Sequence, residues 1–190
     1  MSGYAPTAAP RVLGDVIPGE RARDALLTVG YAGAIGASAQ IAIPLPFTPV
    51  PLTAQTFVVL LGAIVLGLGR ASVGGALYLA AGLAGVPWFA VTGGTTMGYV
   101  AGFIAAAAAL GWLADRGHAR TPGSVAVTMV AGNLVIYAFG ATVLGLTLSL
   151  PPLAALSAGV VPFLLGDAIK VVAATALVPA AWRLVHRGED

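Results

Sequence analysis

Between Ala25 and Arg183, ionisable side chains come in short clusters, and the runs between those clusters are uncharged, apolar and long. A helix crosses a bilayer with about 20 apolar residues, so this spacing constrains the fold more than any other feature of the chain. Only 8% of the residues are charged and 58% are hydrophobic, whereas a soluble domain averages about 25% charged residues. Such a chain cannot coat a globular surface in water. The spacing predicts an all-α membrane protein of six transmembrane helices: 25–43, 53–69, 72–84, 99–114, 124–148 and 156–184, the last bent near Pro162. Residues 1–24 then form a cytoplasmic N-terminal tail, 25–187 the membrane domain and 188–190 a cytoplasmic end.

The arginines give the bundle a direction. Arg11, Arg21, Arg23, Arg70, Arg116, Arg120, Arg183 and Arg187 all fall on one side of a six-span arrangement, while the connections 44–52, 87–98 and 149–153 carry none. By the positive-inside rule both termini are expected in the cytoplasm of a multi-pass inner-membrane protein. The net charge of +2 rests on these loop arginines and does not indicate nucleic acid. Arginines followed by an apolar core and Ala37-Ser38-Ala39 resemble a cleaved signal. The apolar stretch is longer than a usual signal core and more spans follow, so the segment is read as retained.

Two charges break the apolar pattern. Asp167 and Lys170, the latter the only lysine, lie three residues apart inside the sixth run and project from one helix face. Each costs about 2.5–3.5 kcal/mol at a membrane helix centre on insertion scales, so they are expected to face away from lipid, as a polar ligand site or as a structural ion pair between helices. Counted along the sixth span they sit in its outer half, beneath the uncharged loops.

Those loops have unusual chemistry. Prolines 44, 46, 49 and 51 bar regular helix and leave an extended segment with no charge, expected to fold back over the bundle. The stretch Thr92-Gly-Gly-Thr-Thr-Met-Gly98 is read as an irregular turn. It has no Walker lysine and no strand–helix context, so a nucleotide site is not expected. Asn133 and Tyr137 share a face of the fifth span, lining the same cavity or bridging helices. His118 is read as solvated in its loop. With no cysteine, no hydrolase elbow, no metalloprotease motif and only one acid inside the spans, neither a metal site nor an enzyme is expected.

Four segments in order carry a family resemblance: Pro44-Leu-Pro-Phe-Thr-Pro-Val-Pro-Leu-Thr-Ala-Gln-Thr56, Gly98-Tyr-Val-Ala-Gly-Phe103, Asn133-Leu-Val-Ile-Tyr137 and Pro162-Phe-Leu-Leu-Gly-Asp-Ala-Ile-Lys170. Together they resemble the BioY family, the biotin-specific substrate-binding (S) components of energy-coupling-factor transporters. The resemblance implies a six-helix S-component fold that captures biotin from outside, with no cofactor. Uptake is then energised by a transmembrane T component and two ABC-type ATPases. By position Asp167, Lys170 and Asn133 become the polar biotin contacts, with Tyr99 and the loop before it completing the pocket. Tyr137, Trp88, Phe47 and Gln55 are further candidates, and Phe89 can also cover a ring. The chain departs from the family in its compressed Gly94-Thr-Thr-Met-Gly-Tyr99, where the family has a longer loop ending Gly-Pro-Thr-Gly-Gly-Tyr. Biotin's ureido N–H groups suit a carboxylate, its ureido carbonyl and tail carboxylate suit an ammonium, and an amide suits either. An S component for another small vitamin, or a structural subunit whose Asp167–Lys170 pair only packs helices, is the alternative. The small residues Ala32, Gly33, Gly36 and Ala37 of the first span are the expected docking face for the T component.

Overall fold

The computed structural model describes residues 10–17, 19–90 and 94–187. The expectations for residues 1–9 of the tail, for 188–190 and for Thr92 and Gly93 of the glycine-rich stretch lie outside the described residues. Six helices are defined: α1 Glu20–Ala39, α2 Gln55–Leu83, α3 Gly94–Asp115, α4 Pro122–Leu148, α5 Pro152–Gly159 and α6 Leu164–Arg187. A hairpin of β1 Ala42–Leu45 and β2 Thr48–Thr53 joins α1 to α2. Among the described residues four helical segments are long and apolar enough to cross a membrane: α2, α3, α4, and α5 with α6 as one broken span. The first expected span ends at Ala39, not Ile43, because the proline-rich stretch takes up its last residues as β1. Its start lies in the expected tail, where Arg21, Arg23 and Asp24 keep the first turns polar. The described remainder of the tail is packed: Val12 is buried and Leu13–Val16 forms a 3-10 turn against α2.

The expected second and third spans are the two helical legs of α2, which meet at a single non-helical residue, Gly67, at φ 79° and ψ 177°. That conformation is open essentially to glycine alone. Its effect is a reversal. The Gln55 side chain donates from Nε2 to the Tyr78 hydroxyl at 2.8 Å, although a straight helix would hold residues 23 apart about 35 Å from each other. The two legs of α2 therefore lie side by side, and α3 packs along them while α4 packs on α3.

Backbone groups freed by such breaks find side-chain partners, which matters most where water is scarce. The Leu68 N–H, at the start of the second leg, donates to Asp115 Oδ2 at the end of α3 (3.1 Å). Gly159 closes α5, and its carbonyl accepts from the Tyr99 hydroxyl (2.7 Å). The carbonyl of Thr53, the last residue of β2, accepts from Lys170 Nζ (2.9 Å). Each interruption is thus satisfied by a side chain from a different helix. The expected bend near Pro162 is the 3-10 turn Val161–Phe163 between α5 and α6.

The arginine-bearing connections meet at one end of the bundle. Arg70 pairs with Asp15 (2.8 Å) and Asp24 (2.9 Å), and Arg120 donates to the carbonyls of Pro10 and Arg11. At the other end sits the hairpin, antiparallel with Ala42 opposite Thr53 and Leu45 opposite Thr48. Its prolines remove donors from both strands, which limits the sheet to two strands and leaves its edges unable to recruit a third.

Candidate functional site

The break before α6 is where the site begins. Pro162 withholds its N–H, the chain turns through Val161–Phe163, and α6 restarts with Asp167 in its first turn. A helix N-terminus carries partial positive charge, so the carboxylate sits where the backbone itself stabilises it. Asp167 is 3% exposed, yet fully engaged. Its Oδ1 accepts from Thr56 Oγ1 (2.8 Å) and from Lys170 Nζ (2.7 Å), and its Oδ2 accepts from the Tyr137 hydroxyl. Lys170 donates its remaining protons to the Thr53 carbonyl and to Thr56 Oγ1 (2.6 Å). All three ammonium donors are used, and the charges cancel locally. This is how a buried pair escapes most of its desolvation cost.

These groups form one wall of a cavity between the hairpin and the bundle. The cavity holds about 600 Å³ of empty space counted out to its mouth, of which about 60 Å³ admits the centre of a water. It is a narrow slot with room for a few waters, at about 10–15 Å³ each. Val50, Pro51 and Leu52 of β2 cover it, Tyr99, Phe103 and Phe163 supply aromatic walls, and Gln55, Thr56, Tyr78 and Tyr137 add polar atoms. Tyr99 meets Phe163 edge-on with centroids 6.2 Å apart, an arrangement suited to holding a flat apolar ring.

Of the candidates from the sequence, Asp167, Lys170, Tyr99, Tyr137 and Gln55 line this cavity, as does Phe89. Three do not. Asn133 is buried one turn before Tyr137 on α4, about 6 Å nearer the arginine end, and is not among the residues that line the cavity. Its Oδ1 has no hydrogen-bond partner among the described residues. Trp88 instead packs its ring on Gly36, where a Cβ would fall 2.5 Å from the indole, and donates to the Tyr78 carbonyl (3.1 Å). It braces Tyr78 from behind, with centroids 5.3 Å apart. Phe47, at the hairpin tip, is 67% exposed.

The expected glycine-rich turn is also different. Residues 94–98 are the first turns of α3 and carry Thr96 into the cavity wall. The small-residue face of α1 is divided: Ala32 and Gly36 are buried within the chain, and Gly33 and Ala37 are exposed. Sequence reasoning gave no role to Thr56 or Tyr78. A threonine near a helix start carries no distinctive pattern, and Tyr78 reaches Gln55 only because α2 reverses at Gly67. Among the described residues no three His, Cys, Asp or Glu side chains lie together to hold a metal.

Comparison with known proteins adds to this geometry. The BioY family profile matches residues 10–187. The chain is 32% identical to "Biotin transporter BioY" of Rhizobium etli, over 82% of this chain and 90% of the relative. It is 38% identical to the protein of the same name from Thermotoga maritima, over 70% and 80% respectively. Among solved structures it resembles the crystal structure of the S-component for biotin from an ECF-type ABC transporter, with a TM-score of 0.76, 20% identity, and 86% of this chain and 93% of that one covered.

Proposed function

The chain belongs to the BioY family, and on that premise we propose that it is the biotin-binding S component of an energy-coupling-factor transporter. It takes biotin from the extracytoplasmic side into the cavity under the hairpin. A T component and two ABC-type ATPases, supplied by other chains, drive release inward. The observation that carries this reading is the enclosed slot itself, which sets a carboxylate and an ammonium 2.7 Å apart against aromatic walls. Asp167 accepts from the ureido N–H groups or Lys170 donates to a biotin oxygen, while Tyr99 and Phe163 bury the bicyclic ring.

Where Lys170 donates to biotin, binding requires an exchange of partners. Every Lys170 donor is already occupied, and in this proposal a biotin oxygen takes the place of the Thr53 carbonyl, the one of its three acceptors that belongs to the covering strand. Losing that bond frees the end of β2, the strand that covers a slot now too narrow for more than waters. Ligand recognition and movement of the cover are thereby one event.

In this proposal six segments cross the membrane: α1, the two legs of α2, α3, α4, and α5 with α6. Both termini lie in the cytoplasm, supported by the gathering of Arg70 and Arg120 with residues 10–15 at one end. The T component docks on the exposed part of α1, at Gly33 and Ala37, where backbones can approach closely. A leucine at Gly33 is expected to impair uptake and spare binding.

One observation favours a second reading, a structural pair that only packs helices: the network is complete without a guest. A binding panel of biotin, riboflavin and thiamin on the purified chain separates the possibilities. Biotin alone is expected to bind. Binding of another vitamin instead would keep the architecture and remove the ligand, and binding of none would favour the structural pair.

A further inference from the structure

A second groove lies at the arginine-bearing end, between the start of α4 and the last turns of α6, remote from the slot. It is an open groove with about 460 Å³ accessible to the centre of a water, and it is lined by Arg120, Thr121, Thr175, Pro179, Trp182 and Arg183 among others. Arg120 and Arg183 are exposed, and neither has a carboxylate within ion-pair distance among the described residues. Arg23 and Arg70, at the same end, are both paired with acids. The Arg120 guanidinium lies 4.5 Å over the Trp182 ring, and among the described residues its hydrogen bonds go to backbone carbonyls, which carry no countercharge. The N-terminus of α4, a helix running from Pro122 to Leu148, adds its partial positive charge at Thr121.

The groove's shape is as informative as its charge. From Arg183 it follows α6 past Pro179 to Thr175, a run of about 12 Å toward the bilayer centre at 1.5 Å per residue. Its floor is small and mostly apolar, with Ala176 and the Pro179 ring between the two ends. Trp182 is buried beneath the mouth, under the Arg120 guanidinium. A positive mouth leading into an apolar trough along the helix axis matches an amphiphile with an anionic head. A free phosphate would leave the trough empty.

We infer that this groove binds an anionic phospholipid, with its phosphate between Arg120 and Arg183 and an acyl chain along α6 beside Pro179. The inference is independent of the ligand assigned to the slot. The test uses the purified full chain, stripped of lipid in detergent, with phosphatidylglycerol or phosphatidylcholine added and bound lipid counted by native mass spectrometry. Phosphatidylglycerol is expected to be preferred, and Arg183→Gln to lower that preference about fivefold, the effect of one basic residue at an anionic surface. Arg120→Gln is expected to do the same. Arg116→Gln, whose guanidinium rests on Trp112 away from the groove, is expected to keep the preference. Unchanged helicity and a single size-exclusion peak establish that each variant folds. Equal retention of both lipids, or full preference in Arg183→Gln, would overturn the assignment. So would thermal stabilisation by glycerol phosphate equal to that by phosphatidylglycerol, because that would make the groove a simple anion site.

Discussion

Replacing Gly67 with alanine tests the reversal on which the site depends. The residue sits at φ 79° and ψ 177°, where a side chain costs about 1–3 kcal/mol of backbone strain. An added Cβ would also fall 2.3 Å from Asp115 Oδ1, so the carboxylate must move. The same carboxylate accepts the Leu68 N–H, an exposed bond whose loss costs about 0.5–1.5 kcal/mol more. Gly67→Ala is therefore expected to destabilise the protein by about 1.5–4.5 kcal/mol. Asp115→Ala removes the clash together with the bond, and by itself should cost about 0.5–1.5 kcal/mol. In that background Gly67→Ala should cost only its strain, so the double variant falls short of the sum of the singles by about 0.5–1.5 kcal/mol. Reversible unfolding in mixed micelles, followed by circular dichroism, measures all four proteins. Strict additivity, or a Gly67→Ala protein as stable as the parent, would refute the argument that Asp115 and Gly67 together build the turn.

Three more outcomes follow from the same contacts. Tyr99→Phe leaves the Gly159 carbonyl unpaired in an apolar setting and should lower unfolding stability by about 1–3 kcal/mol, whereas an unchanged value would remove Tyr99 as the clasp on α5. Thr56→Val keeps the shape but takes a hydrogen bond from both charges; at about 1.5–3 kcal/mol it should weaken biotin binding roughly 10- to 100-fold, with Thr56→Ser restoring it. At the arginine-bearing end, burial raises the Asp15 carboxyl, but hydrogen bonds from Arg70 and from the Val12 and Arg11 amides, with the Arg70 charge, hold it below its ordinary 3.8. A depressed carboxyl stabilises the fold above that value and loses its contribution as pH falls through the folded pKa. Asp15→Asn should accordingly destabilise the protein at neutral pH, by an amount that shrinks as pH falls below 3.8 and toward the folded pKa, and a gap that does not narrow in acid would contradict the pairing.

Much of this arrangement is legible in the residues, for physical reasons that differ from element to element. Asp167 and Lys170 stand out because a bilayer makes every charge expensive, so two in one apolar run must share an enclosed place. Pro162 predicts the interruption that gives Asp167 a helix start, since proline cannot supply its N–H. The four prolines of 44–51 exclude helix, but they do not indicate strand pairing, and the hairpin emerges from the register between Ile43 and Leu52. Gly67 is one of 26 glycines, and nothing in its local sequence distinguishes a reversal from a loose helix contact. Hence the two expected spans are legible but their junction is displaced, from Arg70 in the expectation to Gly67 in the structure, and Tyr78, brought to Gln55 by that turn, escapes notice. Asn133 and Trp88 show the limit of reading faces from spacing. Asn133 shares a face with Tyr137 but not a depth, and Trp88 has the right chemistry for a ligand wall yet spends its ring on Gly36.

The central claim is that the Asp167–Lys170 couple is a ligand site and more than a brace between α2, α4 and α6. Titrating biotin into the purified protein by calorimetry, beside Asp167→Asn and Lys170→Met, tests it most directly. Binding by the parent and its loss in both folded variants is the predicted result. Equal affinity in all three proteins would contradict it.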